Sequence, residues 1–77
     1  MDGDWVSQED ISGLALAAIK GWGLQGPAPV MLNLAPRQKL RAIELACEVE
    51  LALKELLPHA RIRVTLVGSA ALQVARS

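Results

Sequence analysis

A long run of strong helix formers constrains this chain more than any other feature. It extends over residues 37–57 without a glycine or proline, with Pro36 just before it and Pro58 just after. Proline is tolerated in the first turn of a helix, where its missing N–H is no loss, and it ends a helix elsewhere. The sequence therefore predicts one long helix over residues 37–57.

This predicted helix has two apolar faces instead of one when its residues are placed at intervals of about 100°. The wider face comprises Ala42, Leu45, Ala46, Val49, Ala52, Leu53, Leu56 and Leu57. The narrower, opposite face comprises Leu40, Ile43, Cys47 and Leu51. Because one sheet covers only one face of a helix, we expect the narrower face to pack against another copy of the chain, most simply in a homodimer.

A second helix is predicted near the start of the chain. Ser7 and Asp10 stand three positions apart in the form of a capping box, and apolar residues follow at helical spacing, so we expect a helix over residues 8–20. Residues 21–29 contain three glycines and two prolines and predict a connection. Trp22, at its start, is expected to pack the helix onto the sheet.

Two alternating segments predict strands, one over residues 30–34 and one over residues 61–67. The intervening helix is long enough for a crossover, which favours parallel pairing of the two strands. Residues 70–77 are apolar but fit either a last helical turn or a returning strand. The expected fold is a small two-layer α/β domain in the order helix, strand, helix, strand, with a two- or three-stranded sheet covered on one face by two helices.

Length and charge limit the remaining possibilities. A chain of 77 residues has room for one domain, which we place at residues 7–77 after a flexible acidic leader over residues 1–6. Trp5 in that leader is a candidate contact for a protein partner. Eight basic and eight acidic residues cancel, so no bulk positive field attracts polyanions or membranes. With no apolar run of membrane-spanning length, we predict a soluble cytoplasmic protein without a membrane partner.

Few residues are available for catalysis or for binding a metal or cofactor. Cys47 and His59 are the only cysteine and histidine, too few for an internal disulfide or a structural zinc site. Residues 21–26 match the letters of the dinucleotide-binding motif G-x-G-x-x-G, but they follow a predicted helix instead of linking a strand to a helix. We therefore predict no cofactor, no metal, no catalytic residues and a protein that is not an enzyme.

Two basic clusters are candidate anion sites. Arg37, Lys39 and Arg41 open the long predicted helix, where the helix dipole favours anions. Arg61 and Arg63 fall on one face of the second predicted strand. Each cluster is either a solvated surface or a site for phosphate or for a partner's carboxylates.

The second half of the chain carries a series of short motifs: Arg41-Ala42-Ile43, Ala46, Leu56-Leu57-Pro58, Ile62 and Val67-Gly68-Ser69. In this order they resemble the second half of the sequences of the Alba family, whose members are small dimeric α/β proteins that bind DNA or RNA. The resemblance implies a nucleic-acid-binding dimer in which Arg37, Lys39 and Arg41 contact phosphates. The family's first strand and lysine-rich loop have no counterpart before Ser7, and its members are basic where this chain is neutral.

Two functions follow from these observations. The first is a small non-enzymatic interaction or assembly module that self-associates and binds a protein partner. The alternative is an Alba-like dimer that contacts nucleic-acid phosphates through a local basic patch formed by Arg37, Lys39, Arg41, Arg61 and Arg63. A steep dependence of binding on salt concentration would distinguish the second function from the first.

Overall fold

The computed structural model describes residues 7–25, 28–68 and 70–77. Its elements are α1 (Gln8–Gln25), β1 (Val30–Asn33), α2 (Pro36–Lys39), α3 (Ala42–Leu56), β2 (Ile62–Val67) and β3 (Ala71–Arg76). The predicted class, a small two-layer α/β fold, is confirmed. The leader over residues 1–6, including Trp5, lies outside the described residues.

The sheet has three strands in the order β1-β3-β2, and β3 is antiparallel to both neighbours. The prediction that the first two strands pair with each other in parallel is therefore wrong, because β3, formed by the ambiguous last segment, lies between them. Gly68 has a φ of 65°, which suits glycine, and it opens the short connection that folds β3 back onto β2. Since β1 and β2 are both antiparallel to β3, they do run in the same direction.

The hydrophobic core lies between the helices and one face of the sheet. Alternation in the strands directs Val30, Leu32, Ile62, Leu72 and Val74 into it, and all five are buried. The helices contribute Ile11, Ala15, Ala18, Trp22, Ala42, Leu45, Val49 and Leu53. The opposite sheet face carries Met31, Asn33, Arg63, Thr65 and Val67, which are exposed. We call it the open sheet face.

Helix α1 continues five residues beyond its predicted end and includes Gly21 and Gly23. Gly21 lies against β1, where an added Cβ would come within 2.8 Å of a methyl carbon of Val30. Trp22 is 3% exposed, and the guanidinium of Arg76 on β3 lies 5.1 Å from the centroid of its ring. Packing against the sheet therefore outweighs the low helix propensity of glycine, and the predicted role of Trp22 is confirmed.

The long predicted helix is divided into α2 and α3 by a turn at Leu40 and Arg41. Arg41 departs from helical geometry with φ −125° and ψ 32°. Helix α2 has no buried residue and is held through its side chains by Asp10 of α1, whereas α3 is oriented by the core. The two segments are thus fixed by different partners, and the turn joins them.

Candidate functional site

The narrower apolar face predicted for the long helix is exposed in the folded chain. Leu40 is 83% exposed, Ile43 73% and Leu51 56%, and Cys47 between them is a free, exposed thiol. We call these four residues the α3 stripe: three lie on α3, and Leu40 lies in the turn that precedes it. The opposite side of α3 is buried against the sheet, as predicted for Ala42, Leu45, Val49 and Leu53. One helix thus carries one covered and one uncovered apolar face.

The stripe continues into a groove between α1 and α3, which we call the α1/α3 groove. Its volume is about 500 Å³, and Leu51 belongs to both the groove and the stripe. The other apolar residues that line it are Ile11, Ala15, Leu16, Ala52 and Leu56. Of these, Leu16 and Leu56 are exposed. Leu56 was expected among the core-facing residues, but the last turn of α3 places it at the rim of the groove instead.

Charged residues surround this apolar surface. Lys39 and Arg41 flank Leu40, and all three line one shallow depression together with Ile43. Glu48 and Glu55 line the groove at the other end. Arg41 is paired with Glu44 at 2.9 Å, whereas Lys39, Glu48 and Glu55 form no ion pair with any residue in the described parts of the chain. Because Glu44 also lines the depression at Leu40, the charges there are mixed, whereas the charged residues that line the groove are both carboxylates.

Asp10 binds the side chains that begin α2. It accepts two hydrogen bonds from the guanidinium of Arg37, at 2.8 and 2.9 Å, and one from Nε2 of Gln38 at 2.8 Å. As the capping box predicts, the N–H of Asp10 also donates to Oγ of Ser7, at 3.0 Å. The hydrogen bonds from Arg37 and Gln38 lower the pKa of Asp10 from 3.8 to about 2. Arg37, a candidate phosphate contact, thus has a carboxylate partner within its own chain.

Arg61 and Arg63 are exposed on the side of β2 that belongs to the open sheet face. They line a depression of about 330 Å³ with Ala75 and Ser77, and neither forms an ion pair with a described residue. The two basic clusters do not meet. Arg61 follows the end of α3 and Arg41 precedes its start, and a helix of 15 residues separates them by roughly 20 Å.

The free edge of β2 is closed by a side chain from α3. Residues 61 and 77 exchange both backbone hydrogen bonds, so the alternate residues of β2, Val64 among them, direct their backbone groups away from β3. The N–H of Val64 donates to Oε1 of Glu50 at 3.0 Å, and Lys54 donates to the other oxygen of that carboxylate. These bonds lower the pKa of Glu50. No sequence pattern indicates this contact, because it depends on the placement of α3 beside the edge of β2.

The described residues were also searched for metal-binding and histidine sites. They include no group of three His, Cys, Asp or Glu side chains that could hold a metal ion. His59 lines a depression with Arg76 and Ser77, and no Asp, Glu or Cys lines it with them. Gly21 and Gly23, the first two glycines of the dinucleotide-binding motif, lie inside α1 and not in a loop between a strand and a helix.

Comparison with known proteins gives no relative: no family model matches the chain, and no match is found among curated proteins or solved structures. Within the described residues, no helix has the length and apolarity needed to cross a membrane.

Proposed function

We propose that this protein is a small non-enzymatic interaction module that self-associates through the α3 stripe and uses the open sheet face to bind a protein partner. The observation that carries the proposal is the exposure of Ile43, Cys47 and Leu51 on one face of α3, with the exposed Leu40 in the turn before it. A row of large aliphatic side chains in water is unfavourable, and burial of each one contributes about 1.5–3 kcal/mol. A second copy supplies the same row.

Self-association also compensates for the small size of the domain. A domain of this length buries only about 60% of its unfolded surface, which leaves its stability marginal. The sequence provides one cysteine and one histidine, so an internal disulfide does not supplement the core. Burial of the α3 stripe in a dimer provides that additional stabilisation. A reducing compartment such as the cytoplasm keeps Cys47 available as a thiol.

Sedimentation of a double variant tests this function. We expect Ile43→Glu with Leu51→Glu to convert dimers into monomers, because two carboxylates are then placed in an apolar contact. Leu24→Glu is the matched control, since Leu24 is a highly exposed leucine on α1 outside the stripe. Circular dichroism reports whether each variant is folded. A wild-type protein that stays monomeric at high concentration, or a folded double variant that still sediments as a dimer, contradicts the proposal.

The open sheet face is the proposed site for the partner. Arg61 and Arg63 are its unpaired charges among the described residues, so a partner with a carboxylate-rich surface is favoured. With the stripe buried between two copies, the open sheet face of each copy points away from the dimer contact, because the helices separate the two surfaces. Trp5 is a further candidate contact and stays a prediction.

Nucleic-acid binding is the second candidate function, favoured by Arg61 and Arg63, which form no ion pair with a described residue, and by the resemblance to the Alba family. Of the other candidate contacts, Arg37 and Arg41 have carboxylate partners, and Lys39 lies at the far end of α3 from Arg61. Titration of the protein with duplex DNA and RNA at several salt concentrations tests this function. The double variant Arg61→Gln, Arg63→Gln should then lose affinity, while Lys20→Gln on α1 should bind almost as wild type. Absence of salt-dependent binding rules out this function.

A further inference from the structure

We propose that the α1/α3 groove binds an amphipathic helix of a different protein, one that carries basic residues along one edge of its apolar face. This site is separate from the open sheet face, and it does not depend on self-association. Leu51 lies at the boundary between the groove and the α3 stripe, whereas the other residues of the groove are outside the stripe. Most of the groove is therefore distinct from the surface that a second copy would cover.

The dimensions of the groove fit a helix. Its lining extends from Gln8 to Leu16 on α1 and from Glu48 to Leu56 on α3. Each of these stretches advances by eight residues, which corresponds to about 12 Å, or roughly two helical turns. An amphipathic helix presents its apolar side chains at positions i, i+3, i+4 and i+7, which also span two turns. The groove thus accommodates the apolar face of one helix.

The walls of the groove are apolar and incompletely covered. Leu16 is 58% exposed, Leu51 56% and Leu56 57%. Ala15 and Ala52 line the same groove and are more buried, so they form its floor, and their small side chains allow a third helix to approach closely. Binding of an apolar helix face would remove the three leucines from water, which is favourable.

Charge selects the class of partner. Glu48 and Glu55 line the groove from α3, both are exposed, and neither forms an ion pair with a described residue. The polar residues that line it from α1, Gln8 and Ser12, are uncharged. The two carboxylates lie seven residues apart on α3, about 10 Å along its axis. A helix with two basic residues about two turns apart therefore pairs with both of them, with its basic edge toward α3.

A second copy does not supply such a helix from its described residues. Helix α1 contains one basic residue, Lys20, and α3 contains one, Lys54, which is bonded to Glu50. Helix α2 contains Arg37 and Lys39 but is only four residues long. Pairing of two copies groove to groove would oppose carboxylates with carboxylates, which is unfavourable. The occupant that fits is therefore a different protein.

Two synthetic peptides test the selection by charge. The first is an amphipathic peptide of about 18 residues with leucines on one face and, beside them, lysines seven positions apart; the second has glutamates in place of the lysines. We expect the wild-type protein to bind the lysine peptide at least about tenfold more tightly in fluorescence anisotropy at low salt, and added salt should reduce the difference. Glu48→Lys with Glu55→Lys should reverse the preference. Equal binding of the two peptides by the wild type, or no binding of either, overturns the inference.

Two leucine variants locate the contact. Leu16 and Leu24 are both exposed leucines of α1, but only Leu16 lines the groove. Leu16→Gln should weaken binding of the lysine peptide about tenfold, because it removes apolar surface from the contact, whereas Leu24→Gln should bind as the wild type does. Circular dichroism shows whether each variant is folded. Equal losses of affinity for the two variants would place the peptide outside the groove, and the inference would be wrong.

These outcomes are distinct from those that test self-association. A monomeric wild type that prefers the lysine peptide contradicts the proposed dimer and supports the groove as a partner site. If the wild type binds neither peptide and Leu16→Gln weakens dimerisation, the groove belongs to a second copy and not to a different protein. Sedimentation of the wild type and of Leu16→Gln, each with and without the lysine peptide, distinguishes these cases.

Discussion

The two sides of the helix layer differ in what covers them, although their composition is similar. Toward the sheet, α3 presents Leu45, Val49 and Leu53, which are almost completely buried. Toward solvent it presents Ile43 and Leu51, which are of the same type and mostly exposed. Apolar periodicity therefore identifies both faces, but only the placement of the sheet decides which one forms the core. The uncovered side is where association with other molecules is expected.

The largest difference between the two sides should appear on truncation of neighbouring leucines. Leu53→Ala removes a side chain with no exposed surface and should lower the free energy of unfolding by about 2–5 kcal/mol. Leu51→Ala, two residues away, should change the stability of the monomer by less than about 0.5 kcal/mol. Urea denaturation over a range of protein concentrations measures both values.

Varying the protein concentration separates the effect of each substitution on the monomer from its effect on association, because dimerisation stabilises the folded chain by mass action. Extrapolation to low concentration gives the monomer value. Equal losses for the two variants at that limit would mean that the two sides of α3 do not differ in the monomer. A loss for Leu51→Ala that grows with concentration would instead assign Leu51 to the dimer contact.

Two glycines of α1 sharpen the comparison. Gly21 faces Val30, where a Cβ would lie 2.8 Å from a methyl carbon, whereas nothing lies within 4 Å of the corresponding position at Gly23. Alanine favours a helix over glycine by about 1 kcal/mol, so Gly23→Ala should raise the melting temperature slightly. Gly21→Ala gains the same propensity but overpacks the contact with β1, and should lose about 1–2 kcal/mol overall.

Thermal unfolding followed by circular dichroism compares these two variants directly. The control for the steric argument is Gly21→Ala combined with Val30→Ala, which removes the obstructing methyl groups. Gly21→Ala should lower the melting temperature less when it is introduced into Val30→Ala than when it is introduced into the wild type. An equal increase in stability for Gly21→Ala and Gly23→Ala would show that α1 and β1 are not in close contact.

Sequence patterns predicted most of the elements of the fold, because these elements are determined mainly by residues close to one another in the chain. Local periodicity predicts the strand at Val30, the core face of α3 and the exposed stripe. The spacing of Ser7 and Asp10 predicts the capping box. The end of α1 was misplaced because glycine propensity is weak beside the burial of Trp22. The turn at Leu40 and Arg41 was missed because helix propensity is continuous there, whereas α2 before the turn is bonded to Asp10, a residue distant in sequence.

The central position of β3 and the α1/α3 groove required knowledge of which elements become neighbours. Residues 70–77 have no distinctive period, so the pairing of that segment depends on the hairpin at Gly68. Leu16 and Leu56 come from different helices, and nothing in the sequence places them together. The two basic clusters were both candidates for nucleic-acid contact, yet α3 holds them apart. Local patterns thus predicted the candidate surface of α3 but not the surfaces shared between elements.

The smallest expected effect concerns Asp10, which fixes α2 and hence the beginning of the α3 stripe. Its pKa is lowered from 3.8 to about 2 by Arg37 and Gln38. A carboxyl group with a lower pKa in the folded state contributes stability that is complete above its unfolded value and is lost as the pH falls through the folded value. The contribution of Asp10 should therefore be present above about pH 4 and decline toward pH 2.

Asp10→Asn should flatten the pH dependence of stability in that window, since the amide retains the shape but not the charge. Glu50 also has a lowered pKa, so part of the acid dependence should remain in this variant. Urea midpoints between pH 2 and pH 6 measure the difference, and Glu9→Gln, at an exposed neighbour in the same turn of α1, is the control. Because Asp10 contacts α2 and not α3, the loss should leave the buried face of α3 intact. A variant with an unchanged acid profile would show that α2, and with it the Leu40 end of the stripe, is held by something other than this carboxylate.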